Sequence, residues 1–103
     1  MKLATEDFDR ISKALADPQR RAILQKLAMA GKLNCSDVQA FFDVSQPTVS
    51  HHLKELSVAG IVDREKHGQF CYYHVNTDTL SSYVSELQRR LGLGTLQVAP
   101  KAR

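Results

Sequence analysis

Val44-Ser45-Gln46-Pro47-Thr48-Val49-Ser50-His51-His52-Leu53-Lys54-Glu55-Leu56 is the stretch that decides the fold. Ser45 reads as a helix N-cap, because its hydroxyl can accept a hydrogen bond from a first-turn N–H that has no partner inside the helix. Pro47 falls in that first turn, where its missing N–H costs nothing. Val49, Leu53 and Leu56 recur at i, i+4 and i+7, so one stripe of the helix is apolar and turned to a core. The opposite side carries Pro47, Thr48, Ser50, His51 and Lys54, with Gln46 at the helix start. These short hydroxyls, an imidazole and a cation can hydrogen-bond base edges and phosphates without blocking entry to a major groove. The stretch predicts a helix with a core face and a nucleic-acid face.

Working outward, Asn34 or Ser36 is placed to cap a short helix with Val38, Phe41 and Phe42 apolar, and Asp43-Val44 makes a tight turn into the next helix. Two helices so joined, the second polar on its outer side, predict a helix-turn-helix. Upstream, Phe8, Ile11 and Leu15 repeat at helical spacing. Asp17-Pro18 ends that helix and caps another, which carries Ala22, Ile23, Leu27 and Ala30 and stops at Gly31. Arg20 and Arg21 on it either solvate the helix or clamp a phosphate. Lys32 to Cys35 reads as an extended link. Downstream, Gly60 closes the central helix. Ile61–Lys66 and Gln69–Val75 then read as two strands around a His67-Gly68 turn. A basic-tipped hairpin directly after a helix-turn-helix is a wing, with Arg64, Lys66, His67 and Gln69 set to meet phosphates or the minor groove. Tyr72 and Tyr73 alternate faces, so at least one is expected in the core. Asn76-Thr77-Asp78 caps a last helix with Leu80, Tyr83, Val84, Leu87 and Leu91 in one apolar stripe. That stripe needs a partner, and the first helix offers one.

The bulk properties agree. At 103 residues, 43% hydrophobic and 24% charged, the chain reads as one small globular domain, and its net charge of +3 mildly favours an anionic partner. Residues 1–92 are expected to form the domain and 93–103 a frayed tail. The start of the chain turns acidic at once and shows no apolar signal segment, and no apolar run is long enough to span a membrane, so a cytoplasmic location without membrane contact is expected. No Ser-His-Asp order, paired-carboxylate motif or glycine-rich phosphate loop suggests an enzyme, and no cofactor is expected.

Lys13-Ala14-Leu15-Ala16-Asp17-Pro18-Gln19-Arg20-Arg21-Ala22-Ile23-Leu24, Ser45 to Leu56, Ala59-Gly60-Ile61-Val62 and Gly68 to Asn76 together resemble the ArsR/SmtB family of bacterial winged-helix repressors, over roughly residues 8–92. The resemblance implies a mainly α fold with a small β-hairpin wing, a winged helix-turn-helix. It also implies a homodimer held by the first and last helices, through Phe8, Ile11, Leu15, Leu80, Tyr83, Val84, Leu87 and Leu91. Such a dimer would bind double-stranded operator DNA of two-fold character through Ser45, Gln46, Pro47, Thr48, Ser50, His51, His52, Lys54, Arg64, Lys66, His67 and Gln69, repress, and release DNA on meeting an inducer.

The input signal is less legible. Metal-sensing members of that family carry a Cys-x-Cys-Asp-Leu or Cys-x-Gly-Asp-Leu motif at the start of the third helix; here the place reads Asn34-Cys35-Ser36-Asp37-Val38, with Asn34 and Ser36 at the usual cysteine positions and Cys35 where the family has a non-ligand. Others bind zinc on the last helix, which here has only Asp78 and Glu86, and no His or Cys. His51-His52 cannot readily chelate one ion, since neighbours on a helix point about 100° apart. DNA contact by His51 and packing or phosphate contact by His52 is the better reading. No metal site is expected. Cys35 and Cys71, with His74 near them, are either a thiol sensor of redox, persulfide or trivalent arsenical, or two small half-buried hydrophobes. Relief by a partner protein, or a winged-helix interaction module that no longer binds DNA, are the other readings left open.

Overall fold

Residues 3–93 are described in a computed structural model, and eight elements follow one another there: α1 (Thr5–Ala16), α2 (Pro18–Ala30), β1 (Leu33–Asn34), α3 (Cys35–Gln39), α4 (Gln46–Val58), β2 (Val62–His67), β3 (Phe70–Val75) and α5 (Thr77–Arg90). The tail expected over 93–103 lies, from residue 94 onward, outside the described residues.

Local chemistry sets the corners. At the α1–α2 junction the Asp17 carboxylate accepts hydrogen bonds from the backbone N–H groups of Gln19 (2.8 Å) and Arg20 (3.1 Å), and Pro18 occupies the first helical position. The Arg20 N–H is the main cause holding the Asp17 pKa below the usual carboxylate range. The two arginines complete the corner from the other side. Arg20 Nε donates to the Ala14 carbonyl (2.8 Å) and Arg21 to that of Leu15 (2.6 Å), satisfying carbonyls that the end of α1 leaves unpaired. Both cations thus have a structural part in the corner, although Arg21 stays exposed.

Gly31, at φ 91°, closes α2 as expected, its N–H bonded to the Leu27 carbonyl. Asn34 caps α3 in a reciprocal capping box with Asp37, so Asn34 rather than Ser36 is the cap. α3 ends at Gln39, leaving Phe41 and Phe42 beyond it. Phe41 is 51% exposed, with the Lys26 ammonium 4.4 Å from its ring centre. Ser45 caps α4, its hydroxyl accepting from the Thr48 N–H (3.3 Å). Asn76 does the same for α5 through the Thr79 N–H.

The sheet is three-stranded and antiparallel in the order β1-β3-β2. The link read as merely extended is thus a short strand, with Leu33 opposite Tyr73 and Asn34 opposite Tyr72. In the wing His67 pairs with Phe70, so the tight loop is Gly68-Gln69, one residue later than the expected His67-Gly68. A two-residue hairpin favours positive φ at its first loop position, and Gly68 supplies it (φ 63°).

The core is built from every helix. Ile11, Ile23, Leu27, Val38, Val49, Leu53, Leu56 and Ile61 are fully buried, and Phe8, Ala14, Ala59, Val62 and Tyr83 nearly so. The expected stripe of α4 is therefore its core face. Of the residues expected at a dimer interface, Ile11, Phe8 and Tyr83 belong instead to the protomer's own core. The Phe8 and Tyr83 rings stack at 4.9 Å, and the Tyr83 hydroxyl is 2.8 Å from Ser12 Oγ. Arg90 seals this packing of α1 on α5, lying 4.1 Å over the Phe8 ring and donating to Glu86 (2.8 Å) and Thr5 Oγ1 (3.1 Å). Glu86, held by Arg89 and Arg90, has its pKa lowered to about 2. What stays outward on α5 is narrower than expected: Val84 is 47% and Leu91 63% exposed, while Leu80 and Leu87, with Leu15 of α1, are half-buried.

Candidate nucleic-acid interface

α3, the turn through Ser45, and α4 form the helix-turn-helix, and β2–β3 the wing that follows it. Along α4, Gln46, Pro47, Ser50, His51 and Lys54 are exposed and Thr48 is half-exposed. Three of the polar side chains on this surface already have partners. Ser45 Oγ, besides capping, lies 3.0 Å from Thr48 Oγ1, and Ser50 Oγ lies 3.4 Å from Cys35 Sγ.

His52 departs from the expected set. It is 8% exposed and turned inward, with Nε2 3.0 Å from Gln19 Oε1 on α2. For that oxygen to accept, Nε2 must carry the hydrogen, which leaves Nδ1 as a buried acceptor without a partner. Burial pushes the His52 pKa down, against the opposing pull of Asp17. A neutral, buried imidazole joins α4 to α2, and it has no access to DNA. Of the two roles expected for His52, packing or phosphate contact, this is packing; its partner Gln19 lies on another helix, with no local signal pairing the two.

On the wing, Arg64, Lys66, His67 and Gln69 are all exposed. Arg64 and Lys66 sit opposite Tyr73 and Cys71, on the side of the sheet turned to α4. Lys54, Ser57, Val58, Arg64 and Tyr73 line one shallow cleft, so a helix cation and a wing cation share a surface. The other side of the sheet carries Glu65, bonded to Lys32 at 2.6 Å and 3.5 Å from His67, and the Lys32 hydrogen bond holds its pKa down. Phe70, 51% exposed at the wing tip beside Tyr72, was missed. Its place in an aromatic-rich strand argues for burial unless the register is known.

The cations divide clearly. Among the described residues Arg10, Lys32, Arg89 and Arg90 pair with carboxylates, and Arg20 and Arg21 with carbonyls. Lys54 and Lys66 have no ion pair, nor, away from this surface, have Lys13 on α1 and Lys26, whose ammonium lies over the Phe41 ring, and Arg64 donates only to Cys71 Sγ (3.4 Å). Three cations without a carboxylate partner, Lys54, Arg64 and Lys66, thus share the α4–wing surface, where a polyanion would supply partners. Among the described residues no cluster of His, Cys, Asp and Glu is arranged to hold a metal.

This architecture is a winged helix-turn-helix, a class defined by a reading helix and an adjoining hairpin. Comparison with known proteins narrows it. Residues 15–65 match a family described as "Helix-turn-helix domain". The chain is 36% identical over 78 residues to the transcriptional repressor SdpR of Bacillus subtilis, covering 76% of this chain and 86% of that one. It is 34% identical over 79 residues to the arsenical resistance operon repressor of the same organism, covering 77% and 75%. The structure of an ArsR-like transcriptional regulator from Rhodococcus sp. RHA1 superposes with a TM-score of 0.75 at 25% identity, covering 85% of this chain and 81% of that one. The chain belongs to the ArsR family of winged helix-turn-helix transcriptional regulators.

Proposed function

We propose that the protein is a homodimeric transcriptional repressor, acting on operator DNA in the cytoplasm by binding alone and catalysing no reaction. α4 enters a major groove, where Gln46, Ser50 and His51 face base edges, while Lys54, Arg64 and Lys66 neutralise phosphates and the Gly68-Gln69 wing tip lies along the neighbouring groove. The observation that carries this reading is the cleft shared by Lys54 and Arg64: it brings the helix and the wing to one surface that is rich in unpaired cations. On α5 the exposed Val84 and Leu91, in one row with the half-buried Leu80, support dimerisation, since apolar side chains of this size gain by being covered. A two-fold dimer sets two reading helices about 34 Å apart, in successive major grooves. The two relatives named above are repressors.

The test is competition binding of the native dimer to a duplex from its own promoter and to random duplex of equal length. Tighter binding to the promoter by about 10³-fold or more is expected of a specific regulator. Equal affinity for both would overturn the proposal.

A further inference from the structure

The sulfurs of Cys35 and Cys71 lie at the joint between the sheet and α4, and neither is needed by the DNA surface as described. β1 runs antiparallel to β3 with Leu33 opposite Tyr73 and Asn34 opposite Tyr72; the ladder ends there, and Cys35, the first residue of α3, stands one step beyond it as Cys71 does on β3. Asn34 is still extended (φ -89°, ψ 175°), so the chain keeps its strand direction up to Cys35, where α3 begins. Directly opposed residues of an antiparallel pair have Cα atoms about 4.5–5.5 Å apart. Disulfides close across about 4.4–6.8 Å. Alternation along β3 puts Cys71 on the face of Tyr73, opposite Leu33.

Tyr73 gives an independent reading of the same arrangement. Burial raises the pKa of its phenol, and the Cys71 and Cys35 sulfurs both add to the rise, so one side chain senses both thiols. Both cysteines are free and half-buried. Each is bonded to a residue of the DNA surface: Cys35 Sγ lies 3.4 Å from Ser50 Oγ on α4, and Cys71 Sγ accepts from Arg64 Nε at 3.4 Å on the wing.

We propose that Cys35 and Cys71 are a hydroperoxide-reactive dithiol whose closure to an intramolecular disulfide weakens DNA binding. One sulfur, as thiolate, attacks an oxygen of the hydroperoxide. The O–O bond breaks, an S–O bond forms, and an alcohol (water, for hydrogen peroxide) leaves with the thiol's proton. The second sulfur, giving up its own proton, attacks the sulfenic sulfur, and the S–O oxygen departs as water. Two thiols and one hydroperoxide give one disulfide, one alcohol and one water, with two electrons passing from sulfur to the peroxide. In the disulfide the sulfurs face one another. Cys35 then leaves Ser50, Cys71 leaves Arg64, and the α3 N-terminus is tied to β3.

The effect on DNA rests on the repressor reading above, whereas the disulfide does not, and the experiment separates the two. Full-length reduced protein is treated with hydrogen peroxide and divided between peptide mass mapping and anisotropy titration on its promoter duplex. The expected results are a linked Cys35–Cys71 peptide lighter by two hydrogens and a Kd raised about tenfold or more. Both revert with dithiothreitol, and Cys35→Ser and Cys71→Ser each show neither response. Absence of the linked peptide, disulfides only between protomers, or a closed disulfide with unchanged affinity each overturns the proposal. If reduced protein fails to prefer its promoter, the repressor reading falls and the regulatory half falls with it. The linked peptide still decides whether the dithiol exists.

Discussion

Replacing Lys54 by Ala should alter how DNA binding depends on salt more than it alters anything else about the molecule. Lys54 is exposed, has no ion pair among the described residues and contributes nothing to the core. With Arg64 and Lys66 it makes three available cations per protomer, hence six in a dimer. Each phosphate neutralised releases condensed counterions, so log K falls against log salt with a slope of about −0.9 per contact. Six contacts give a slope of about −5.4, or an affinity loss of about 10³-fold between 50 and 200 mM salt. Lys54→Ala removes two contacts per dimer, and the slope should fall to about −3.6. The assay is fluorescence anisotropy on a labelled promoter duplex over that salt range. Lys13→Ala, at an exposed cation on α1, serves as the control and should leave the slope alone. The reasoning fails if wild type and Lys54→Ala share one slope, or if Lys13→Ala changes it as much.

Other expectations concern the scaffold. Leu53 is fully buried on α4 while Val58, on the same helix, is 56% exposed. Leu53→Ala should lower unfolding free energy by about 2–5 kcal/mol in urea titration and Val58→Ala by about 0.5 kcal/mol at most; equal losses would reject the assigned helix face. His52, whose pKa lies below its ordinary 6.5 because of burial, stays neutral in the folded state after the unfolded chain has begun to take up a proton. Stability should therefore be complete above pH 6.5 and fall as pH drops toward the folded pKa, a slope that His52→Gln removes. Urea midpoints between pH 7.5 and 5 decide this. Glu86, lowered to about 2, acts in a different window: its contribution is present above the ordinary value of 4.5 and is lost as pH falls toward 2. Val84→Glu places a charge in the exposed strip of α5 and should give a monomer by sedimentation velocity; a persisting dimer would move the interface elsewhere.

Much of the fold was legible because it is written in local chemistry. Asp17, Ser45 and Asn76 cap helices through their own side chains, and Gly31 and Gly68 stand where positive φ is required. All of this can be read within a few residues. β1 could not be read that way, because two residues show no period and only β3, some forty residues on, makes them a strand. The burial of Phe8, Ile11 and Tyr83 inside the protomer was illegible for a related reason. An apolar stripe shows that a helix face needs covering but not whether the cover is internal, and Phe8, Ile11 and Tyr83 turn out to cover one another within the protomer core. On α4 the exposure of Gln46, Pro47, Ser50, His51 and Lys54 followed from periodicity, whereas the choice between packing and phosphate contact for His52 needed Gln19, on another helix.

The corner at Asp17 has a consequence for what the protein can recognise. Asp17 locks the start of α2, Arg20 and Arg21 fasten the end of α1 to it, and Gln19 reaches from the same turn to His52 on α4. The helix that packs beside α5 and the helix that reads DNA are therefore braced through one joint, with no slack linker between them. A dimer assembled on α5 would behave as a caliper of set opening. Inserting one base pair between operator half-sites displaces the second half-site by about 3.4 Å and turns it by roughly a tenth of a helical turn. If α4 reads DNA as proposed, a braced joint resists that shift, and operators of altered half-site spacing should bind more weakly.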